Sequence, residues 1–203
     1  MMLKRFFDVF ISLTALIILS PLMLLIVFWI ISDSRGGAFY SQLRVGRNKN
    51  DFRLWKFRSM RLGSDSKGLL TVGKADHRIT PVGRILRSVK LDELPQLWNV
   101  LNGSMSMVGP RPEVRKYVDM YTERQLQVLQ LRPGITDYAS LHYYHENSLL
   151  ENEPDPEAFY IEVIMPAKLE INLEYIEKRS IRMDFNILFL TLASVCGISK
   201  SKN

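Results

Sequence analysis

Residues 88–103 read Ser88-Val-Lys-Leu-Asp-Glu-Leu-Pro-Gln-Leu-Trp-Asn-Val-Leu-Asn-Gly103, and this stretch predicts a short amphipathic helix. Its apolar residues recur at positions i, i+3, i+4 and i+7, which is the spacing of one helix face: Leu94, Leu97, Trp98 and Leu101. Gly103 follows the last of them, where a helix commonly ends. We expect Asp92 to be the N-cap and Pro95 to lie in the first turn, where proline is tolerated.

Two adjacent carboxylates, Asp92 and Glu93, stand at the start of this predicted helix. Alone, they would be explained by capping and by a favourable interaction with the helix dipole, worth about 1 kcal/mol. Their surroundings favour a second interpretation, because four cationic residues flank the pair in the sequence: Arg84, Arg87, Lys90 and Arg111. Carboxylates that can hold a divalent cation, next to side chains that bind anions, are suited to chemistry on phosphate esters.

The charge of the chain is unevenly distributed. The formal net charge is +6, but residues 35–61 hold eight Lys and Arg against one acid, whereas residues 142–177 hold nine acids against one Lys. A basic front half predicts an anionic partner, and composition leaves open a nucleic acid, a lipid headgroup or a phosphorylated small molecule. The single cysteine, Cys196, excludes an internal disulfide, and we expect it to be a packed, unreactive thiol.

The stretch from Val9 to Ile31 contains no charged residue. As a helix it would be about 35 Å long, which is enough to cross a bilayer. Ser20-Pro21 interrupts its middle, where proline removes a backbone hydrogen bond and can bend the helix. Cationic residues flank both ends, which predicts that both ends lie in the cytoplasm. These features favour a segment that enters the membrane and returns, but a proline is also tolerated in a spanning helix.

A β-hairpin is predicted after the apolar segment. Residues 39–45 alternate between apolar and polar, and residues 52–59 form the returning strand. The apolar face changes within the second strand, which predicts a β-bulge near Leu54. The polar, glycine-containing residues 63–74 predict a mobile loop.

The rest of the chain is predicted to be mainly helical. We expect a helix from Pro81 through Val89 capped by Thr80, and then a charged helix over 113–131. A turn at 132–136 and an irregular segment over 139–147 should follow. The chain should end with an acidic helical region from Pro154 that Pro166 interrupts, and an apolar helix over 183–196. The last helix is too short to span a membrane. It can belong to the core or lie in the membrane interface, and flanking cations favour the interface.

Residues 92–112, Asp92-Glu-Leu-Pro-Gln-Leu-Trp-Asn-Val-Leu-Asn-Gly-Ser-Met-Ser-Met-Val-Gly-Pro-Arg-Pro112, resemble the signature of the monotopic phosphoglycosyl transferases, also called the bacterial sugar transferase family. Other blocks are similar to motifs of that family in the same order: Lys4-Arg5 with Asp8, Ser20-Pro21, Phe39–Gly46, Lys56–Met60, Asp76–Thr80, Gly83-Arg84, Leu86-Arg87 and Arg132–Thr136. The resemblance covers nearly the whole chain.

The resemblance implies an α+β fold that is mainly helical. Residues 1–35 would form a re-entrant membrane helix broken at Ser20-Pro21. Residues 36–203 would form a cytoplasmic catalytic domain with a β-hairpin and several short amphipathic helices at the membrane interface, including the C-terminal helix 183–196. The protein would be a monotopic enzyme of the bacterial inner membrane, in its minimal catalytic form.

The resemblance also implies an activity and its residues. A sugar 1-phosphate would pass from a UDP-sugar to undecaprenyl phosphate, with release of UMP, to start a surface glycan. Asp92 would be the nucleophile that forms a covalent phosphosugar intermediate, assisted by Glu93, and the pair would hold Mg²⁺. The implied phosphate-binding residues are Arg111, Lys56, Arg58 and Arg87.

The chain departs from the family pattern in one segment. Many members carry Gly-Trp-Ala-Gln-Val-Asn-Gly-Arg after the motif at 132–136, whereas this chain reads Asp137-Tyr-Ala-Ser-Leu-His-Tyr-Tyr-His-Glu-Asn147. The identity of the sugar, the glycan pathway and the oligomeric state stay open, with a homodimer as one option. A membrane-anchored scaffold that binds anionic lipid or an assembly partner is the alternative function. We expect no nucleic-acid partner, because no recognised nucleic-acid motif is present.

Overall fold

The computed structural model describes residues 2–64, 76–144 and 146–198. These residues are mainly helical and include two small two-stranded sheets, which agrees with the predicted α+β class. The mobile loop that we predict over 63–74 falls almost entirely outside the described residues.

The long apolar segment forms one helix, α1 (Met2–Asp33), which continues through Pro21. Proline leaves the carbonyl of Ile17 without its usual donor, and the Ser20 hydroxyl donates to that carbonyl at 2.8 Å instead. Among the described helices, α1 is the one that is long and apolar enough to cross a membrane. Its middle part exposes large apolar side chains, among them Ile17, Ile18, Leu24 and Leu25. The break at Ser20-Pro21 stays a prediction.

Strands β1 (Phe39–Val45) and β2 (Asp51–Phe57) form the predicted antiparallel hairpin. Each residue of one strand faces one residue of the other along the whole ladder, so the prediction of a bulge near Leu54 is wrong. The apolar face changes for another reason. Leu54 packs into a cluster with Val100, whereas Phe57 packs into a different cluster with Ile30. The hairpin therefore contributes to two cores from its two faces.

Arg58 directly follows β2, and its side chain bonds to the backbone at the C-terminal end of α1. It is 5% exposed, and its guanidinium donates to the carbonyl of Ser34 at 2.8 Å, to that of Gly36 at 3.4 Å and to that of Arg35. A cation at the C-terminal end of a helix satisfies carbonyls that lack intrahelical donors and complements the helix dipole. The structure thus assigns Arg58 a role in joining α1 to the hairpin.

We expect Arg58→Met to lower the free energy of unfolding by about 2 kcal/mol, because these carbonyls lose a charged donor. Chemical denaturation in detergent measures the change. Arg53→Met on β2 is the matched control, since Arg53 is exposed, and its effect should stay within about 0.5 kcal/mol. An Arg58→Met variant of normal stability that no longer binds a nucleotide would contradict the structural role.

Two helices and a 3-10 turn surround the paired carboxylates: α2 (Pro81–Ser88), the turn Leu91–Glu93 and α3 (Gln96–Asn102). Thr80 caps α2 as predicted, and its side chain accepts a hydrogen bond from the Gly83 N–H at 2.9 Å. Gly103 ends α3 as predicted, with φ of 91°. The predicted start of α3 is wrong, because Asp92 lies in the 3-10 turn and does not cap the helix.

The predicted face of α3 is also partly wrong. Leu97 is buried, but Trp98 is 55% exposed. The buried positions include two polar residues, Gln96 and Asn99. Apolar spacing could not identify this face, because polar side chains occupy half of the buried positions.

The segment after α3 differs most from the prediction. Strand β3 (Ser106–Val108) pairs in parallel with β4 (Gly134–Thr136), where a turn was expected. In place of one helix over 113–131 there are α4 (Arg115–Val118) and a 3-10 helix, Gln125–Gln130. The break has a local cause. Thr122 and Gln125 exchange hydrogen bonds between side chain and backbone N–H at 2.9 and 3.3 Å, a capping box that starts a new helical turn.

Helices complete the described chain: α5 (Tyr138–His142), α6 (Glu146–Glu151), α7 (Pro156–Phe159), α8 (Met165–Lys178) and α9 (Ile181–Val195). The first two replace the irregular segment that we predicted. Pro166 does not interrupt the helical region, because a π-helical turn, Tyr160–Ile164, shifts the backbone hydrogen bonding just before it.

Helix α9 confirms the predicted apolar C-terminal helix. Ile187 is fully buried, whereas Phe189 is 70% and Leu192 is 64% exposed. Cys196 is exposed, so the prediction of a packed thiol is wrong. The cysteine follows the last turn of the helix, beyond the part that packs on the core.

Candidate active site

Asp92 lies in the 3-10 turn between α2 and α3 and is only 5% exposed. Its carboxylate makes no hydrogen bond or ion pair with any residue that the structure describes. Lys90 precedes the turn in the left-handed conformation, with φ of 58° and ψ of 16°. The turn therefore holds a buried carboxylate that has no partner within the described chain.

Glu93 is the last residue of that turn. Its carboxylate binds two cationic side chains from distant parts of the chain. Its Oε1 accepts a hydrogen bond from Lys56 Nζ at 2.9 Å and one from Arg111 Nη2, and its Oε2 accepts one from Arg111 Nη1 at 3.2 Å. Burial alone would raise the pKa of Glu93, but Arg111 and Lys56 outweigh it and hold this pKa well below its usual range. The Glu93 carboxylate in turn raises the pKa of Arg111.

Asp92 shows the opposite shift. Burial raises the pKa of Asp92 above its ordinary value, Lys56 opposes this rise, and the Glu93 carboxylate adds to it. Two neighbouring carboxylates thus have environments that move their pKa values apart. Such pairs are typical of active sites, where one group reacts and the other stays ionised.

The loop that carries Arg111 packs closely against the segment 132–136, and the two backbones meet at Gly109 and Gly134. A Cβ on Gly134 would lie 2.1 Å from the nitrogen of Gly109, so no larger residue fits there. The Arg111 backbone N–H donates to Asp137 Oδ2 at 3.0 Å, which fixes the loop between two prolines. Asp137 belongs to the segment that departs from the family pattern, and sequence reasoning assigned it no role.

Asn99 joins α3, the helix that follows the Asp92–Glu93 turn, to the hairpin. It is 1% exposed, its Oδ1 accepts a hydrogen bond from the Trp55 N–H at 3.0 Å, and its Nδ2 donates to the Arg53 carbonyl at 2.8 Å. These bonds place the strand that carries Lys56 beside Glu93. Sequence reasoning missed Asn99, and the one available signal was a polar residue inside the run Leu-Trp-Asn-Val-Leu.

The opening motif of the chain anchors α1 to the same unit. Arg5 donates to the carbonyls of Val100 and Leu101 at 2.6 and 2.9 Å, at the C-terminal end of α3. Asp8 is buried and accepts a hydrogen bond from the Ser106 hydroxyl at 2.9 Å. The start of α1 is therefore bonded both to α3, which follows the Asp92–Glu93 turn, and to β3.

The structure brings together most of the predicted phosphate-binding residues. Lys56 and Arg111 contact Glu93, and Arg87 is close enough to lower the pKa of Asp92. Arg87 makes no ion pair with a carboxylate in the described parts of the chain. The Arg58 guanidinium is hydrogen-bonded to a backbone carbonyl at the end of α1, so its position does not support phosphate binding.

The donor atoms fit the implied Mg²⁺ in part. Lys56 and Arg111 already occupy three of the roughly four lone-pair positions of the Glu93 carboxylate. Asp92 is an unpaired oxygen donor of the kind that Mg²⁺ prefers, and this ion commonly takes one or two carboxylates together with water and substrate phosphates. Residues 2–64, 76–144 and 146–198 contain no group of three or more His, Cys, Asp or Glu side chains placed so that they could hold a metal ion by themselves. The site fits a Mg²⁺ ion held by Asp92 and substrate better than one enclosed by the pair.

Comparison with known proteins shows the family of the chain. The family model described as bacterial sugar transferase matches residues 1–197. The chain is 36% identical over 197 residues to a UDP-glucose:undecaprenyl-phosphate glucose-1-phosphate transferase of Klebsiella pneumoniae, a match that covers 95% of this chain and 40% of that protein. It is 35% identical over 196 residues to a UDP-N-acetylgalactosamine-undecaprenyl-phosphate N-acetylgalactosaminephosphotransferase of Aeromonas hydrophila, covering 95% and 43%.

A third relative has nearly the same length. The chain is 38% identical over 201 residues to the exopolysaccharide production protein PSS of Rhizobium leguminosarum bv. phaseoli, covering 96% of this chain and 95% of that protein. The chain thus spans about two fifths of the first two relatives and almost all of the third. The match with the family model extends from the start of α1 past the end of α9, so the chain belongs to the bacterial sugar transferase family.

Proposed function

We propose that this protein transfers a sugar 1-phosphate from a UDP-sugar to undecaprenyl phosphate and releases UMP, as an early step in the assembly of a surface glycan. The relatives from Klebsiella pneumoniae and Aeromonas hydrophila are named for a UDP-sugar and undecaprenyl phosphate, which supports these substrate classes. The observation that carries the proposal is that two adjacent carboxylates, those of Asp92 and Glu93, have different environments. Asp92 is buried and unpaired among the described residues, while Glu93 beside it binds two cations.

In the first step, an Asp92 carboxylate oxygen attacks the phosphorus that bears the sugar. A bond forms between that oxygen and phosphorus, the bond from phosphorus to the bridging oxygen of the diphosphate breaks, and UMP leaves with the bonding electron pair. The raised pKa of Asp92 supports this role, because a more basic carboxylate is a better nucleophile once it is ionised.

In the second step, a phosphate oxygen of undecaprenyl phosphate attacks the same phosphorus. The bond between phosphorus and the Asp92 oxygen breaks, the carboxylate is restored, and the lipid-linked diphosphosugar leaves. Arg111, Lys56 and Arg87 stabilise the negative charge on the phosphate oxygens. Glu93 orients two of these cations and is a positioning residue, since its carboxylate is already bonded to Lys56 and Arg111.

Asp92 would hold a Mg²⁺ ion together with the diphosphate of the donor, while Glu93 stays bonded to Lys56 and Arg111. When bound, this ion would neutralise part of the diphosphate charge.

We further propose that α1 is re-entrant, with a bend at Ser20-Pro21 and the catalytic domain on the cytoplasmic face of the inner membrane. Both ends of α1 contact the same unit: Arg5 and Asp8 bond to α3 and β3, and Arg58 bonds to the other end. A straight helix of this length would be about 48 Å long. If it spanned the bilayer, the polar domain that contacts both ends would have to enter the hydrocarbon, which is unfavourable.

Cysteine labelling tests this topology. With Cys196 replaced by serine, we expect both Met2→Cys and Gly37→Cys to react with a membrane-impermeant maleimide from the cytoplasmic side. Gly37 is suitable because a side chain there would meet open space. Ile18→Cys, in the exposed apolar middle of α1, is the control and should be protected. Labelling of Met2→Cys from the periplasmic side would show a spanning helix instead.

The reaction is tested by measuring nucleotide release from detergent-solubilised protein with Mg²⁺, undecaprenyl phosphate and a panel of UDP-sugars. We expect UMP from one donor, and this donor identifies the sugar. Release of UDP would mean an ordinary glycosyl transfer and would contradict the proposed mechanism. No nucleotide from any donor would favour the membrane-anchored scaffold.

A further inference from the structure

We propose that Lys90 and Tyr144 form a further donor-binding element of this site. The Lys90 ammonium binds a phosphate of the nucleoside diphosphate, and the Tyr144 ring holds the ammonium in position before the donor arrives. This inference rests on the proposed function, because it concerns how the same site binds its UDP-sugar donor. Lys90 Nζ lies 5.6 Å from the centroid of the Tyr144 ring, within the distance of a cation–π interaction.

The charges in the site support a role for Lys90. A diphosphate brings at least two negative charges, but Lys56 and Arg111 are already paired with Glu93. Arg87 and Lys90 also act electrostatically on Asp92, yet neither makes an ion pair with any carboxylate in the described part of the chain. These two cations are therefore available to the donor without breaking an existing ion pair.

The backbone places Lys90 at the reacting carboxylate. Its carbonyl accepts a hydrogen bond from the Glu93 N–H at 3.3 Å, so Lys90 closes the turn that holds Asp92. A lysine in the left-handed region is disfavoured, and such residues cluster where surrounding structure imposes a functional geometry. Lys90 is an exposed residue as a whole, and burial of its ammonium near Glu93 and Arg111 lowers the pKa of this group.

Tyr144 belongs to the segment in which this chain departs from the family pattern. That segment contacts the site at two points: Asp137 accepts a hydrogen bond from the Arg111 N–H at 3.0 Å, and Tyr144 contacts Lys90. Arg111 and Lys90 are both cations of the donor site. We therefore infer that this segment sets the position of phosphate-binding groups and so affects the binding of the donor.

Binding of UDP to the full-length, detergent-solubilised protein with Mg²⁺ tests the inference by calorimetry, without requiring turnover. Lys90→Asn removes the charge and keeps a residue that tolerates the left-handed conformation. It should weaken UDP binding by about tenfold, whereas Lys90→Arg should restore most of the affinity. Tyr144→Leu should weaken binding by about threefold, and Tyr144→Phe, which restores the ring, should recover it. The double variant Lys90→Asn/Tyr144→Leu should bind no more weakly than Lys90→Asn, because the ring acts through the ammonium.

Lys116 is a matched control, because its Nζ also lies 5.6 Å from the centroid of a tyrosine ring, that of Tyr117. Lys116→Asn removes the same charge from a lysine that pairs with Glu157, and it should leave the affinity for UDP unchanged. Equal UDP affinity of Lys90→Asn and the unmodified protein would overturn the inference while leaving the proposed function intact. No UDP binding by the unmodified protein would overturn the proposed function and this inference with it.

Discussion

Asp92→Asn is expected to reduce sugar-phosphate transfer by at least about a thousandfold and, at neutral pH, to raise the melting temperature. Activity should be lost because an amide cannot act as the proposed carboxylate nucleophile. Stability rises because the substitution removes a buried negative charge that has no partner within the described chain. The variant is nearly isosteric, so packing around the turn should be kept.

The pH dependence of this stability change has a definite sign. The folded-state pKa of Asp92 is raised, so the folded protein binds this proton more tightly than the unfolded chain does. The stabilisation of the folded protein that comes from a neutral Asp92 carboxyl is present at low pH, and it is lost as pH rises through the folded-state pKa. The advantage of Asp92→Asn over the unmodified protein should therefore grow from pH 4 to pH 7. Thermal unfolding across this range measures it, and a variant that is less stable at pH 7 would contradict the assignment.

Glu93→Gln is expected to have the opposite effect on stability. It should lower the free energy of unfolding at pH 7 by about 2 kcal/mol, because Lys56 and Arg111 lose their shared partner. We place the value below the range for fully buried pairs because both cations are partly exposed. Transfer activity should fall about a hundredfold, because the two cations lose the anion that orients them.

The pH dependence separates this effect from a general defect in folding. The folded-state pKa of Glu93 is held well below its ordinary value, so its contribution to stability is present above that ordinary value and is lost as pH falls through the folded pKa. The difference between Glu93→Gln and the unmodified protein should shrink in acid. Glu157→Gln is the matched control, since Glu157 and Lys116 form an exposed pair, and its effect should stay within about 0.5 kcal/mol. A stability loss for Glu93→Gln that is equal at pH 3 and pH 7 would argue against the ion-pair role.

Local features of the fold were predictable from neighbouring residues. Thr80 caps α2 and Gly103 ends α3 because caps and left-handed turns depend on a few adjacent positions. The hairpin follows from alternation over short segments, and α9 from a continuous apolar run. The failed prediction of a bulge has a tertiary cause: Leu54 and Phe57 are buried on opposite faces because two separate cores cover the hairpin.

The candidate site was predictable as a set of residue types and only partly as an arrangement. Asp92 and Glu93 are adjacent in sequence, and the cations near them were visible. Nothing in the sequence showed that Asn99 would join α3 to the hairpin, or that Arg58 would bind the end of α1. A buried polar side chain takes whichever donor or acceptor the fold brings to it, and spacing along the chain does not specify that partner.

Residue types at short spacing were enough to predict the apolar helix at the start of the chain, the hairpin and the family to which the chain belongs, but they did not predict the 3-10 turn that holds Asp92. Only the tertiary structure decided which carboxylate is paired and which is unpaired in the described chain. Lys56 comes from 37 residues before Glu93 and Arg111 from 18 residues after it, and both bind Glu93. Two adjacent acids that look alike in the sequence thus acquire opposite pKa shifts, since the field at each carboxylate depends on charges that folding assembles.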